Sequence, residues 1–315
     1  MATLSDMINE VSINLSGYTL QQDRATHITA DVAATASTIA APITLSLAST
    51  DSVGKGIVEI DEELFWVDNY DRVGNTATIA PYGRAYLGTT LASHTAGTKV
   101  TIAPTFPRFV IKRAINDTIN AVGSSIFAAN KTTITSNLAT SAYRLPATGN
   151  SLNIRSILAV AYEAIGPSKE WIPVRNYRFD GNANSTAFTS EQTISIYDMI
   201  TSGRTIQVVY STDPSVFQEL ATPALTNAQV FETISGLPAS CKDLIILGAT
   251  YRLLSNLDPA RASMVSPQAD ETDSKRPYGS SQSLTRQVYA LFTQRLTEEI
   301  KNQQDKYPIR VHYSL

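Results

Sequence analysis

The chain has 315 residues, of which 43% are apolar and only 17% charged, and its formal net charge is −3 with a pI near 5.7. That is enough apolar material for a sizeable core spread over two or three domains, and less surface charge than the ~25% usual in freely soluble proteins. No Lys/Arg-rich stretch offers the basic face that gripping phosphates needs, a single cysteine (Cys241) excludes an intrachain disulfide, and no apolar run approaches the ~20 residues that span a bilayer.

The opening MATLSDMINE lacks a basic start followed by an apolar run, so no secretory leader is expected and the chain reads as made and kept in a cytoplasm. The first segment reads as a short helix. Leu4, Met7, Ile8, Val11 and Leu15 share one helical face, Thr3 or Ser5 can cap it, and Gly17 can end it. Residues 20–104 read as β structure. TIAAPITLSLA comes first, then GIVEIDEELFWVDNY with an acidic two-residue turn at Asp61 and Glu62, then TATIA and KVTIA. Glycines punctuate these runs at the short intervals of a small barrel or sandwich. Pro104 and Pro107 stop the sheet. Phe109, Ile111, Ala114, Ile115, Ile119 and Val122 then give near-helical spacing, which predicts a helix over 107–122 that ends at Gly123.

Residues 131–212 form a second β region with six expected strands: KTTITSN, SAYRLPA, SILAVAYEAI, EWIPVRNYRF, TISIYD and RTIQVVYS. The turn-rich separators between them point to an antiparallel sandwich. A capping box at Ser240 to Asp243 is expected to open a helix apolar over most of its girth, with Leu244, Leu247, Tyr251, Leu254 and Leu257 on one face. Residues 264–283 have no period and read as an irregular arm. Leu284, Val288, Leu291, Phe292, Leu296 and Ile300 then mark a helix over 284–306, about 34 Å long at ~1.5 Å per residue. In the last segment, YPIRVHYSL, Ile309, Val311 and Tyr313 alternate with Arg310 and His312, an edge-strand pattern able to add to another chain's sheet. The fold class is therefore α+β, with two small antiparallel β barrels or sandwiches and a bundle of N-terminal, central and C-terminal helices. The expected divisions are 1–19, 20–104, 105–130, 131–215, 216–306 and 307–315.

Candidate chemistry is sparse. His27, His94 and His312 lie far apart with no ligand-spaced neighbours, so no metal site is expected, and no cofactor site is read either. Gly54, Lys55 and Gly56 lack the spacing of a phosphate loop and read as a turn. His94 sits in RAYLGTTLASHTAG, which has no G-x-S-x-G elbow; Thr89, Thr90 and His94 are expected to bond nearby backbone groups. Glu59, Asp61, Glu62 and Glu63 are expected in water, or as an acidic lining of a pore. Trp66 and Trp171 are expected in β cores, and Cys241 as buried filler. No acid, base and nucleophile come together, so an enzyme is not expected.

Two stretches carry a resemblance. Glu59, Ile60, Asp61 and Glu63, then Arg84, Gly88, Thr89, Thr90, His94 and Gly97, follow a pattern E-I-D-x-E … R-x-x-x-G-T-T-x-x-x-H-x-x-G. In this the region 20–104 resembles a small β module of tailed-bacteriophage neck and tail proteins. KDLIILGATYRLLSNLDPARA, the loose segment and the long helix ending in KYPIRV resemble the helical section of head-to-tail adaptor (neck) proteins. The resemblance implies a virion structural protein at the head–tail junction, assembled in the host cytoplasm. It would form a ring, usually of twelve copies, that docks on the portal protein, carries the tail or next neck protein, and lets DNA pass without sequence-specific contact.

On this reading Lys275, Arg276, Tyr278, Tyr307, Ile309, Arg310, Val311, His312 and Tyr313 are the expected contacts to portal or neighbour. Glu59, Asp61, Glu62 and Glu63 are the expected channel lining. The alternatives are a tail or baseplate protein with a carbohydrate-binding sandwich, and a virion hydrolase using His94.

Overall fold

The computed structural model describes residues 2–16, 23–35, 37–140, 142–146, 154–167, 169–184, 186–188, 190–220, 222–255 and 280–308. The chain divides into two compact units, each discontinuous in sequence. One takes residues 1–118, 217–230 and 242–293, the other 119–216, 231–241 and 294–315.

The first unit opens with α1 (Leu4–Ser16), whose five expected apolar residues are all buried. Thr3 and Asp6 bond reciprocally at its start: the Asp6 N–H donates to Thr3 Oγ1 at 3.2 Å, and the Thr3 N–H to Asp6 Oδ2 at 2.9 Å. Gly17, expected to end it, lies outside the described residues. The β module follows as β1 (Arg24–His27), β2 (Ile43–Ser46), β3 (Gly56–Ile60), β4 (Glu63–Asp71), β5 (Thr76–Ile79) and β6 (Lys99–Ile102), in the order β1-β6-β3-β4-β5-β2. Its edge strands meet at one antiparallel bridge, Ile28 with Leu47. Ile28, Leu45, Val58, Ile60, Phe65, Val67, Ile79 and Val100 fill the interior. Part of the expected strand TIAAPITLSLA is instead a short helix, α2 (Ser37–Ala40). Trp66 is not core; it is 37% exposed, with its ring 5.3 Å from Tyr86. β4 alternates, and Phe65 and Val67 take the inner face.

The helical bundle gathers α1, the start of α3 (Arg108–Val122), α6 (Lys242–Ser255) and the first half of α7 (Ser280–Lys306), with the short α4 (Pro223–Asn227) beside α1. Its tightest point is Gly248 on α6. A Cβ there would lie 2.3 Å from Thr118 Cγ2 and 2.9 Å from Phe292, so glycine alone permits this approach. α6 is buried around most of its girth, as its composition requires. On α7, Val288 and Phe292 are buried, but Leu291, placed on the same stripe by its spacing, is exposed.

The second unit is a two-sheet sandwich. β7 (Ala128–Thr135), β9 (Ile154–Glu163), β10 (Trp171–Pro173) and β13 (Thr205–Thr212) form one sheet in the order β10-β9-β13-β7. β8 (Ala142–Arg144), β11 (Tyr177–Asp180) and β12 (Thr193–Ile196) form the other, ordered β11-β12-β8. Ile194, Ile196, Val160, Ile206, Val208 and Tyr210 pack between them. EWIPVRNYRF is not one strand: it breaks into β10 and β11, which belong to different sheets, and Val174 between them enters the core. Trp171, expected in that core, is 45% exposed on edge strand β10. The short α5 (Phe231–Ser235) and the end of α7 complete the unit.

Candidate functional site

The acidic hairpin between β3 and β4 splits its carboxylates between two directions. Asp61 and Glu63, two residues apart around the tight turn, reach one imidazole: His94 Nδ1 lies 2.8 Å from Asp61 Oδ2, and Nε2 lies 3.0 Å from Glu63 Oε2. Glu63 also receives a fork from Arg84, with Nε to Oε1 at 3.0 Å and Nη2 to Oε2 at 2.9 Å. The N–H groups of Ala85 and Ala92 donate to the same carboxylate at 3.0 and 2.9 Å. Arg84 extends the node by donating to the carbonyls of Ala33 and Ala92. The side chains of Arg84, Glu63 and His94 are wholly buried. Such a carboxylate, forked by arginine and capped by two backbone donors, uses nearly all its acceptor capacity.

The charges explain the titration. Burial alone would raise the Glu63 carboxyl, but the bonds from His94, Arg84 and Ala92 outweigh it and hold the group below the usual carboxylate range. Burial would lower His94; the two carboxylates facing its ring outweigh that and raise it above 6.5, favouring the imidazolium.

The node also holds strained backbone. Asp61, Tyr82, Ala85 and Leu87 all have φ between 48° and 59°, a region that costs a non-glycine residue of order 1 kcal/mol. The Ala85 N–H bond to Glu63 holds one of them directly. Gly83 is obligatory for a different reason: a Cβ would lie 2.8 Å from the Ala80 carbonyl and 2.9 Å from that of Trp66.

Glu59 and Glu62 turn instead toward α3. The Arg108 N–H, in the first turn of that helix, donates to Glu59 Oε1 at 2.6 Å. Lys112, one turn on, donates to Glu62 Oε2 at 2.8 Å and pairs with Glu219 at 2.6 Å. Burial pushes the Glu59 carboxyl up to about 7 against the lowering effect of the Arg108 N–H and charge. Glu62 Oε1 is buried without a hydrogen-bond partner among the described residues.

The expected exposure of these acids is thus corrected. Glu59, Glu62 and Glu63 are buried within the chain, where they cannot line a channel or meet water; Asp61 alone of the four is open, its side chain 48% exposed. Glu62 meets the Lys112 ammonium, and Glu63 meets Arg84, His94 and two backbone donors, which stabilise charge away from water; Glu59 meets the first turn of α3, where burial still outweighs its contacts and raises its carboxyl. His94 likewise bonds carboxylates through its ring and not the nearby backbone groups expected of it. Thr89 behaves as expected, donating to the Tyr86 carbonyl, and it also accepts from the Leu64 N–H.

A fourth buried acid, Glu299, lies outside the hairpin. Glu299 on α7 accepts from Ser240 Oγ at 3.0 Å, lies 3.7 Å from the Cys241 sulfur, and pairs with Arg295 at 2.9 Å. Ser240 is thereby engaged with Glu299 and not in the expected capping box. Burial and the adjacent Glu299 push the Cys241 thiol up to about 12, so it is an inert thiol, the buried role expected of it. The roles of Lys112 and Glu299 are legible only as charged intrusions on apolar helix stripes, that of Arg84 only as an arginine beside an obligatory glycine, and that of Glu219, in the irregular segment between β13 and α4, has no signal in the sequence.

Of the expected contact residues, Tyr307 is half-buried with its ring 5.9 Å from Phe127. Lys275, Arg276, Tyr278, Ile309, Arg310, Val311, His312 and Tyr313 lie outside the described residues. Among the described residues no trio of His, Cys, Asp or Glu is placed to hold a metal ion, and no helix is long and apolar enough to cross a membrane. No family model matches the chain, and no curated protein sequence matches it.

Proposed function

We propose that this chain is a structural virion protein, a neck adaptor that forms a ring below the portal of a tailed bacteriophage, extends the DNA channel and offers the docking platform for the tail. One observation carries the reading. Four of the residues that carry the resemblance, Asp61, Glu63, Arg84 and His94, converge in a single node whose polar groups are turned on one another, with Glu63, Arg84 and His94 buried and Asp61 at its rim. A motif spread over some thirty residues that closes on itself behaves as a scaffold lock, as a part of an assembly requires. The same enclosure weighs against a hydrolase built on His94, because both ring nitrogens are occupied and the ring is shut from solvent.

In this role the low charge content suits a subunit that buries surface against two neighbours in a closed ring. The lack of a basic stripe suits a channel through which DNA slides. Electron microscopy of particles containing the chain tests the reading: density for it in a ring at the portal–tail junction is the expected result, and a position elsewhere overturns it.

A second reading is favoured by the exposed aromatic residues of the sandwich, Trp171 and Tyr197, because rings open to solvent are the platforms on which sugars stack. On that reading the chain is a tail or baseplate protein that binds host glycans. Titration calorimetry with host-surface polysaccharide separates the two: saturable binding lost in Trp171→Ala favours the second, and no binding favours the first.

A further inference from the structure

β7 is the outer strand of its sheet and pairs with β13. Gln303 meets the chain one residue ahead of this strand, at Phe127. The Phe127 N–H donates to Gln303 Oε1 at 3.1 Å, and Gln303 Nε2 donates to the Phe127 carbonyl at 2.6 Å. A strand residue directs its N–H and C=O to one side, and its neighbours direct theirs to the other. The backbone groups of Ala129, Lys131, Thr133 and Thr135 therefore point the same way as those of Phe127, away from β13. Among the described residues they have no hydrogen-bond partner there. Gln303 acts as a one-residue substitute for a further strand, and the four residues beyond it offer the rest of the ladder. At the Phe127 end this edge opens beside a cavity of about 290 Å³ lined by Phe127, Ala129, Leu237, Pro238, Gln303 and Tyr307.

The sequence holds a strand of the right kind and length. Residues 309–315 alternate Ile309, Val311 and Tyr313 with Arg310 and His312. Seven residues cover about 23 Å at ~3.3 Å each, the span from Ala129 to Thr135. We infer that residues 309–315 of one copy add as an antiparallel strand to the free edge of β7 in a second copy.

The geometry disfavours the segment's own chain. Tyr307 packs on Phe127, so the segment leaves α7 beside the start of β7. From there it would run parallel to β7, in a sheet whose ladders are all antiparallel, and parallel pairing holds less per residue. To pair antiparallel it would first have to travel to Thr135, which uses up residues 309–315. A second copy meets neither obstacle. With Ile309 opposite Thr135, Val311 faces Thr133 and Tyr313 faces Lys131. The contact is head-to-tail, the kind that repeats from copy to copy into a ring or filament; it rests on the proposed reading of the chain as a self-assembling part.

Disulfide trapping in the full chain tests this. In a Cys241→Ser background, Thr133→Cys is combined with Val311→Cys, the concentrated protein is oxidised, and the products are read by non-reducing electrophoresis and intact mass. Dimers and higher multimers are expected, at least about tenfold more abundant than when Thr132→Cys, on the opposite face, replaces Thr133→Cys. Circular dichroism of the reduced proteins establishes that each is folded. A disulfide closed within one chain, or thiols that stay free, overturns the inference. Deletion of 309–315 gives an independent readout: loss of multimers at an unchanged thermal midpoint is expected, and multimers that persist overturn it. The trap and the particle image fail separately. Multimers trapped from a chain imaged away from the neck would leave the strand exchange standing and remove the neck role; a neck ring without the trap would do the reverse.

Discussion

The two β regions solve the same packing problem with opposite materials. The sandwich of β7 to β13 is held by apolar side chains between two sheets, and among the described residues of its strands no Asp, Glu, Lys, Arg or His is buried. The module of β1 to β6 also has an apolar interior, but its long connection from residue 80 to 98 has little regular structure and is tied down by Arg84, Glu63, His94 and Asp61. Apolar packing tolerates small changes of shape and is indifferent to pH. A buried ionic node fixes one geometry, and it fails when one member is lost, because the remaining charge is left in a low-dielectric interior. A loop with no regular hydrogen-bond ladder can thus be as firmly specified as a strand when its buried polar groups are engaged.

The ionic node is most vulnerable at Arg84. Arg84→Ala would leave Glu63 buried without its fork and free two carbonyls; a loss of about 3–5 kcal/mol is expected in urea unfolding, with amide exchange rising first in β4 and residues 84–97. Glu59→Gln acts in the other direction. The unfolded carboxyl loses its proton near 4.5 and the folded one near 7, so the folded state holds the extra proton between those values, and stability falls as pH rises through that window. Gln keeps an acceptor for the Arg108 N–H without the charge. A gain of about 2–3 kcal/mol at pH 8 and almost none at pH 4 is the expected outcome of paired denaturation curves.

The sandwich should answer differently. Ile206→Val is expected to cost about 1 kcal/mol by loss of one buried methylene, and the same at pH 5 and pH 8. In the first module the pH response has two sides. His94, raised when folded, stabilises fully below its ordinary value of 6.5 and loses that contribution as pH rises through its folded value. Glu63, lowered when folded, stabilises above 4.5 and loses its contribution as pH falls through its folded value. Exchange protection in β4 is therefore expected to fall at both ends of the range, while protection in β13 stays flat; equal pH profiles would erase the contrast. The smallest effect is expected at Trp171→Ser, within about 0.5 kcal/mol in thermal melts, because the ring lies on an exposed edge.

Much of the fold was legible in the residues themselves. The period of apolar residues in α1, α3 and α6, the glycines and prolines between strands, and the turn at Asp61 and Glu62 are local signals set by backbone geometry, and the elements stand where those signals put them. Local signals failed where a residue's fate depended on a distant partner. EWIPVRNYRF has strand composition throughout, yet it divides between two sheets because Val174 is claimed by the core. Trp66 and Trp171 are large and apolar, but the alternation of β4 and the edge position of β10 leave them half outside.

The acidic hairpin marks the limit most clearly. Local signals along the chain place Glu59, Asp61, Glu62 and Glu63 together at a tight turn, and Arg84 and His94 in a glycine-punctuated loop. That three of the four acids are buried follows from the folded chain, because burial of an acid depends on whether a counter-charge or backbone donor arrives within hydrogen-bond reach. Those partners come from residues 84–94 and from Arg108 and Lys112 on α3, 21 to 50 positions away along the chain. Spacing along a chain gives no distance between such residues; the folded sheet and helix do.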